Sequence, residues 1–214
     1  MLKKDAFSIL IPFYNTGALT RELLDELFRQ REKYPQTEIV LVDSGSTEDT
    51  SWLSEYKDLI TTRVEPINGK SQGEAVSRNK CIDLAKCEWM AFVDSDDMVV
   101  SDYLDTIYEN ARKGFDYVVY SWVNTDGQRG DWHKESLAWN LNVWSYTYRR
   151  ELVDKRFDER RYTYCDIFWL KEQLKPEWSR LVVDKPIIIY NGNRADNLTH
   201  LLARGEISVW REGL

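Results

Sequence analysis

The sequence predicts an α/β fold built on an open, mostly parallel, doubly wound (Rossmann-like) sheet with helices on both faces. Two observations predict this fold. In the first half of the chain, short apolar runs alternate with segments of helical apolar spacing, the pattern of parallel strands joined by right-handed crossovers. The apolar runs are also continuous rather than alternating, as expected for strands covered on both faces.

The elements follow in order from these patterns. The first strand, 6–11, is stopped by Pro12, which cannot donate to a sheet ladder. Apolar residues at helical spacing then predict a helix over 19–28. The other elements predicted in this half are strands at 38–42, 60–64, 89–93 and 117–120, and helices at 52–53, 71–85 and 104–111.

The rhythm changes after about residue 121. The segment 124–142 is polar, 166–174 has the pattern of a helix, and 186–190 that of a strand. We therefore expect one domain over 1–214. In it, a first half of about 5–120 forms the sheet, and a smaller second half of about 121–214 builds onto it.

Composition narrows the function classes. The 214 residues include 29 Lys and Arg against 36 Asp and Glu, a net charge of −7. This balance argues against a general nucleic-acid-binding protein, because neutralising phosphates requires excess Lys and Arg. Aromatic residues make up 13% of the chain, which predicts a thick core or a stacking surface.

The cellular location is predicted from sequence features that this chain does not show. No apolar run approaches the roughly 20 residues of a membrane span, and no signal peptide follows Met1. Cys81, Cys87 and Cys165 fit no metal-ligand spacing and are expected to be reduced core thiols. We therefore expect a cytoplasmic protein, with peripheral attachment to the inner face of the membrane as the alternative.

Polar residues follow three of the predicted strands. Tyr14 follows the first strand, Asp43 ends the second, and the segment 94–97 (Asp-Ser-Asp-Asp) follows the strand at 89–93. Ligands of open α/β sheets bind outside the carboxyl ends of the strands. The sequence therefore predicts a site where these residues converge.

Each of these residues also has a purely structural interpretation. Clustered carboxylates at 94–97 favour Mg²⁺ or Mn²⁺, since hard oxygen ligands suit these ions, but they could equally form a solvated turn that caps the next helix. Asp43 could accept hydrogen bonds from a pyrimidine base or simply stabilise its own turn. Tyr14 could stack on that base or pack against the protein.

Four ordered motifs resemble those of family 2 glycosyltransferases with the GT-A fold. The resemblance covers about 5–115, and four motifs in the right order are far more specific than a single Asp-x-Asp. The motifs are 7–15 (FSILIPFYN), 38–46 (EIVLVDSGS), 77–80 (SRNK) and 92–97 (FVDSDD).

The resemblance implies a donor site. Tyr14 and Asp43 would hold the nucleotide base, most often uracil, and Arg78 would lie near the phosphates. Asp94 would contact the ribose or the donor sugar. The implied nucleotide- and donor-binding residues are Pro12, Tyr14, Asn15, Asp43, Arg78, Asp94, Ser95 and Asp96.

The resemblance also implies a divalent metal, Mn²⁺ or Mg²⁺, that bridges the pyrophosphate. Asp96, Asp97 or both would coordinate it. His200, in the closing loop, could add a contact to the metal or a phosphate, or could be a surface histidine.

The Glu-Asp motif that carries the family's general base should fall at residues 165–166. Here Cys165 replaces the Glu, while Asp166 matches the Asp of the motif and is the implied base. Asp166 could instead cap the helix that follows it. Among the tryptophans, Trp132, Trp139 and Trp144 could form a platform for an acceptor sugar, although ordinary packing explains Trp144 as well.

The expected function is metal-dependent, inverting sugar transfer from a nucleotide sugar, preferably a UDP-sugar, to an acceptor hydroxyl on a saccharide or lipid-linked saccharide. Two alternatives stay open. One is a non-catalytic nucleotide-sugar binder or partner subunit, because Cys165 replaces the motif's Glu. The other is a phage-type enzyme that glycosylates a modified base in DNA, for which activity would fall steeply with salt.

Overall fold

A mixed sheet organises the computed structural model, which describes residues 2–130, 142–161, 163–192, 198–206 and 208–210. The strands among these residues are β1 (Lys3–Phe13), β2 (Glu38–Asp43), β3 (Ile60–Arg63), β4 (Cys87–Phe92), β5 (Met98–Val99), β6 (Tyr117–Asn124), β7 (Arg129–Gly130), β8 (Tyr146–Arg149) and β9 (Arg180–Tyr190). Their order in the sheet is β3-β2-β1-β4-β8-β6-β9-β5, and β7 pairs with β6.

Four of the five described α-helices pack on the faces of this sheet, two on each face, as the sequence predicts. The five helices are α1 (Gly17–Arg31), α2 (Glu74–Leu84), α3 (Tyr103–Ala111), α4 (Cys165–Gln173) and α5 (Leu198–Ala203). One core joins α1 and α3 to one face, and a second core joins α2 and α4 to the other. The predicted helix at 71–85 begins only at Glu74, because Gly73 before it adopts a positive φ of 83°.

The first half of the chain gives the predicted parallel arrangement. β1 lies between β2 and β4 and pairs with both in parallel, and β3 extends the sheet beyond β2. Every residue of β2 is buried, which explains its continuous apolar run. The three strands that carry the predicted site residues therefore end at one edge of the sheet.

The second half makes the sheet more mixed than the mostly parallel sheet that the sequence predicts. β8 inserts between β4 and β6 and is antiparallel to both, and β5 is antiparallel to β9. β9 itself runs parallel to β6. Strand direction depends on these long-range pairings, which the apolar pattern of a segment does not encode.

Buried aromatic residues account for much of the aromatic excess. Trp89 and Trp169 are buried in the two cores, and the phenol rings of Tyr146 and Tyr148 stack within the second. The three cysteines are buried free thiols, as predicted. No helix among the described residues is long and apolar enough to cross a membrane.

Candidate active site

A cavity of about 480 Å³ opens at the carboxyl ends of β1 and β4. The loop after β1, the start of α2, the loop after β4, the start of α4 and the end of β9 form its walls. The predicted site residues among its lining are Pro12, Tyr14, Asn15, Arg78, Asp94, Ser95, Asp96, Trp144 and Asp166. The predicted base therefore shares one cavity with the predicted donor-binding residues other than Asp43.

Five predicted residues are not seen among the cavity lining: three lie elsewhere in the described part of the chain and two lie outside it. Asp43 and Asp97 are buried next to it, and His200 is exposed on α5. Trp132 and Trp139 lie outside the described residues.

Asp43 stabilises its own turn. Its Oδ1 accepts hydrogen bonds from the backbone N–H groups of Gly45 (3.1 Å) and Ser46 (2.7 Å). Its Oδ2 accepts one from Arg63 Nη1 at 2.6 Å. This is the structural role that the sequence left open, and it fixes Ser44, which does line the cavity.

The loop after β1 is tied to the loop after β2 through Asn15. Its backbone N–H donates to Ser46 Oγ (3.0 Å), and its Oδ1 accepts the N–H of Thr47 (2.8 Å). Asn15 has a positive φ of 50°, which asparagine tolerates better than most residues. Tyr14, next to it, is 41% exposed and borders the cavity, where its ring is accessible for stacking.

Arg78 is the centre of a buried charge cluster. Its side chain is 1% exposed, and it donates from Nε to Glu74 Oε1 (3.0 Å) and from Nη2 to both Glu74 and Asp94 Oδ1 (2.7 Å). The guanidinium also lies over the rings of Phe92 and Phe157. Burial opposes its charge, yet the carboxylates of Asp94 and Glu74 hold the pKa of Arg78 well above its usual value. Arg78 thus forms charge-assisted hydrogen bonds with both Glu74 and Asp94.

Asp94 and Ser95 hold the loop after β4. Burial raises the pKa of Asp94; Arg78 opposes this shift and the charge of Glu74 adds to it. The hydroxyl of Ser95 exchanges a hydrogen bond with Thr16 Oγ1 at 2.8 Å, and its carbonyl oxygen accepts one from Thr20 Oγ1 at 3.0 Å. The loop is thus anchored to the start of α1.

The next two aspartates have different surroundings. Asp96 lines the cavity, whereas Asp97 is 1% exposed and its Oδ1 accepts the backbone N–H of Asn191 at 2.8 Å. The described residues contain no group of three or more His, Cys, Asp or Glu side chains placed to hold a metal. Mg²⁺ typically takes one or two protein carboxylates together with substrate phosphates, and Asp96 beside Asp94 fits that donor set.

Asp166 lies in the first turn of α4. The helix begins at Cys165, after Tyr164 in a left-handed conformation (φ 58°), so Asp166 is inside the helix rather than at its N-cap. Burial and the charge of Glu74 raise the pKa of Asp166 to about 6, although Arg78 and the backbone N–H of Ile167 oppose the shift. Such a value suits a general base near neutral pH.

Glu74 is the residue of this cluster that sequence reasoning missed. It lines the cavity, contacts Arg78 one turn further along α2, and lies near both Asp94 and Asp166. The signal available in the sequence was its i, i+4 spacing to Arg78, which places both side chains on one helix face.

The aromatic residues near the base differ from the predicted platform. Trp144 is 3% exposed and stacks on Tyr190 with ring centroids 5.5 Å apart, so packing explains it. Tyr164, which is 37% exposed, lines the cavity with Asp166 instead, whereas the equally exposed Phe168 does not line it. Phe168 is held by Arg161, whose guanidinium carbon lies 3.5 Å from the ring centroid.

Comparisons with known proteins agree with this geometry. Residues 8–174 match the family model described as glycosyl transferase family 2. Glycosyltransferase GlyG of Streptococcus pneumoniae is 30% identical over 131 residues, covering 60% of this chain and 43% of that protein. The uncharacterized glycosyltransferase YibD of Escherichia coli is 28% identical over 179 residues, covering 72% and 52%. The chain thus spans about half the length of these relatives.

The fold is likewise that of a solved glycosyltransferase. Residues 1–349 of TarS from Staphylococcus aureus, solved in complex with UDP, superpose with a TM-score of 0.75 at 25% identity, covering 87% of this chain and 60% of that one. The predicted GT-A fold is therefore confirmed. Because the family model matches most of the length of this chain, the chain belongs to glycosyl transferase family 2.

Proposed function

We propose that this chain catalyses inverting sugar transfer from a nucleotide sugar, preferably a UDP-sugar, to an acceptor hydroxyl. The observation that carries the proposal is that Asp166 lines the same cavity as Tyr14, Asp94 and Asp96. A base on one wall thus faces a space whose other walls carry groups suited to a nucleotide and its sugar. The UDP complex of the similar TarS structure supports the choice of nucleotide.

On the donor side, the exposed ring of Tyr14 would stack on the base, and Asp94 would accept hydrogen bonds from ribose or sugar hydroxyls. Asp43 would act by holding the loop whose Ser44 lines the cavity. Its carboxylate could accept a hydrogen bond from the nucleotide only at the lone pairs that Arg63 and the turn do not already occupy. Arg78 would keep the carboxylate of Asp94 in place through the hydrogen bond that it donates to Asp94 Oδ1.

On the leaving-group side, Asp96 would hold the divalent cation together with the diphosphate oxygens. Such a cation supplies Lewis-acid stabilisation of the negative charge that builds on the leaving diphosphate. Asp97 and His200 stay predictions as further ligands.

On the acceptor side, Asp166 would take the proton of the acceptor hydroxyl as that oxygen attacks the anomeric carbon and the bond to the diphosphate breaks. With its pKa near 6, the carboxylate is mostly ionised at pH 7 and still basic enough to accept the proton. One direct displacement inverts the anomeric centre and needs no carboxylate nucleophile.

We predict that Asp96→Ala removes the dependence of UDP binding on metal. Titration calorimetry of UDP with Mn²⁺ and with EDTA should show a difference in affinity of tenfold or more for the wild type and little for the variant, since the carboxylate that would hold the cation is lost. Asp126→Ala, an exposed turn aspartate, is the control and should behave as wild type. If UDP binding by Asp96→Ala depended on metal as strongly as UDP binding by the wild type, Asp96 would not be the metal ligand.

We also predict that Tyr164→Ala raises the KM for acceptor about fivefold, because an aromatic face worth about 1 kcal/mol is lost from the cavity that also holds the base. Tyr164→Phe should retain the wild-type KM. The rate of donor hydrolysis in the absence of acceptor should not change, which separates acceptor binding from damage to the donor site. An unchanged acceptor KM would place the acceptor elsewhere.

The alternative function, a non-catalytic nucleotide-sugar binder, is favoured by one observation, the Cys165 that replaces the motif's Glu. The two functions differ in turnover. Incubation with UDP-sugars and Mn²⁺ should release free UDP slowly if the chain is an enzyme, and none above the spontaneous rate if it only binds.

A further inference from the structure

The thiol of Cys165 contacts the carboxylate of Glu74. Cys165 Sγ lies 3.7 Å from Glu74 Oε2, although the two residues are 91 positions apart in the chain. The other carboxylate oxygen, Oε1, accepts from Nε and Nη2 of Arg78. Glu74 thus joins α2 to the first turn of α4, where Asp166 lies.

The contact falls at the position where the chain departs from the family's Glu-Asp motif. A glutamate at 165 would place its Cγ about where Cys165 has its Sγ, and its carboxylate oxygens about 2.5 Å further on. That reach crosses most of the gap to Glu74. Because Cys165 is 1% exposed, there is no room to direct a longer side chain into solvent. A carboxylate from position 165 and one from position 74 would therefore compete for the same volume.

We infer that Glu74 is a positioning residue that supplies from α2 the carboxylate which the family's motif supplies from α4. The inference rests on the proposed function, since the residue positioned is the proposed base Asp166. The small Cys165 side chain leaves space for this exchange.

The charges show why one carboxylate is needed there, and only one. Arg78 is fully buried and is held by Glu74 on one side and Asp94 on the other. Without a carboxylate at this point, the guanidinium would lose two of its three hydrogen bonds and could shift, displacing Asp94. With two, a fourth carboxylate would join Glu74, Asp94 and Asp166 around a single cation.

The test is a swap between the two positions. Glu74→Ala should lower kcat tenfold or more and change the KM for donor by a smaller factor, because loss of the contact lets the start of α4 move and small displacements of a base are costly, whereas Asp94 keeps its own hydrogen bond to Arg78. Cys165→Glu, with Glu74 still present, should also lower kcat tenfold or more. The double variant Glu74→Ala/Cys165→Glu should recover to within about threefold of wild-type kcat.

Two controls accompany the swap. Asp83→Ala removes an exposed acid on the same helix, whose partner is Arg156, and should leave kcat unchanged. If Glu74→Ala alone fails to fold, Glu74→Gln keeps the side-chain volume and should also lower kcat, whereas the double variant Glu74→Ala/Cys165→Glu should regain folding.

Melting temperature is measured for every variant. A double variant no more active than the worse single variant overturns the inference, and so does one whose melting temperature recovers while kcat does not, because Glu74 would then be only structural. If the wild type turns over no nucleotide sugar, the proposed function fails. In that case the melting temperatures of the variants are compared instead. A double variant that melts no higher than the less stable single variant still overturns the exchange of carboxylates.

Discussion

Replacing Asp166 by asparagine is expected to lower sugar transfer by about 10²- to 10⁴-fold while UDP binding stays within about twofold of wild type. Asparagine has nearly the same shape but cannot accept the proton of the acceptor hydroxyl. Transfer is measured with saturating donor, and UDP affinity by calorimetry in the presence of Mn²⁺. Transfer within tenfold of wild type would show that another group is the base.

The pH dependence of the wild type should agree with this assignment. Because the pKa of Asp166 is raised to about 6, kcat/KM should rise as the pH increases through about 6, rather than through the range near 4 of an ordinary aspartate. The charged groups that set this value are Glu74 and Arg78, on α2. A profile flat between pH 5 and 7 would contradict the assignment.

The same substitution should stabilise the protein. Folding raises the pKa of Asp166 from its usual value of 3.8 to about 6, so the ionised form costs stability above about pH 6, and the cost vanishes below about pH 4. Allowing for partial exposure, the gain in Asp166→Asn is of the order of 2 kcal/mol at pH 8, or about 5 °C in melting temperature. The gain should shrink as the pH falls from 8 to 5. A lower melting temperature at pH 8 would contradict the raised pKa.

Replacing Arg78 by methionine is expected to cause the largest loss of stability, about 3–5 kcal/mol, or roughly 10 °C in melting temperature. Methionine keeps the contacts with the rings of Phe92 and Phe157 but leaves the carboxylates of Glu74 and Asp94 without their buried cation. Those carboxylates would then ionise less readily, so the loss should be larger at pH 8 than at pH 5. Thermal melting at both pH values measures it.

Two further variants define the cause of this loss. Arg160→Met removes an exposed cation that pairs with Asp158 and should change stability by less than about 0.5 kcal/mol. Arg78→Met/Asp94→Asn should recover part of the loss, because one stranded carboxylate is removed. If the double variant is no more stable than Arg78→Met, the loss comes from packing and not from charge.

The sequence by itself determined the class of fold and the edge of the sheet that carries the site. Continuous apolar runs required strands covered on both faces, and the residues that end them, Tyr14 after β1 and Asp94 after β4, had to meet at one edge. The helix of Asp166 was also evident from its apolar spacing. These features follow from apolar patterns within segments of about ten residues. Such local patterns do not depend on which distant segment packs against them.

The tertiary structure alone decided how the polar residues divide their tasks. Asp43 turned to its own loop and Arg63, Asp97 to the end of β9, and Trp144 to the core. None of these outcomes follows from local pattern, because each depends on which atoms long-range packing brings within hydrogen-bond or van der Waals distance.

The same reason explains the strand order and the charge cluster. β8 is only four residues long, and its antiparallel insertion between β4 and β6 is specified by its partners rather than by its own composition. The sequence showed a missing glutamate at Cys165. Only the packing of α2 against α4 showed that the carboxylate of Glu74 lies beside it, since hydrogen bonding and charge act across space and are independent of distance along the chain.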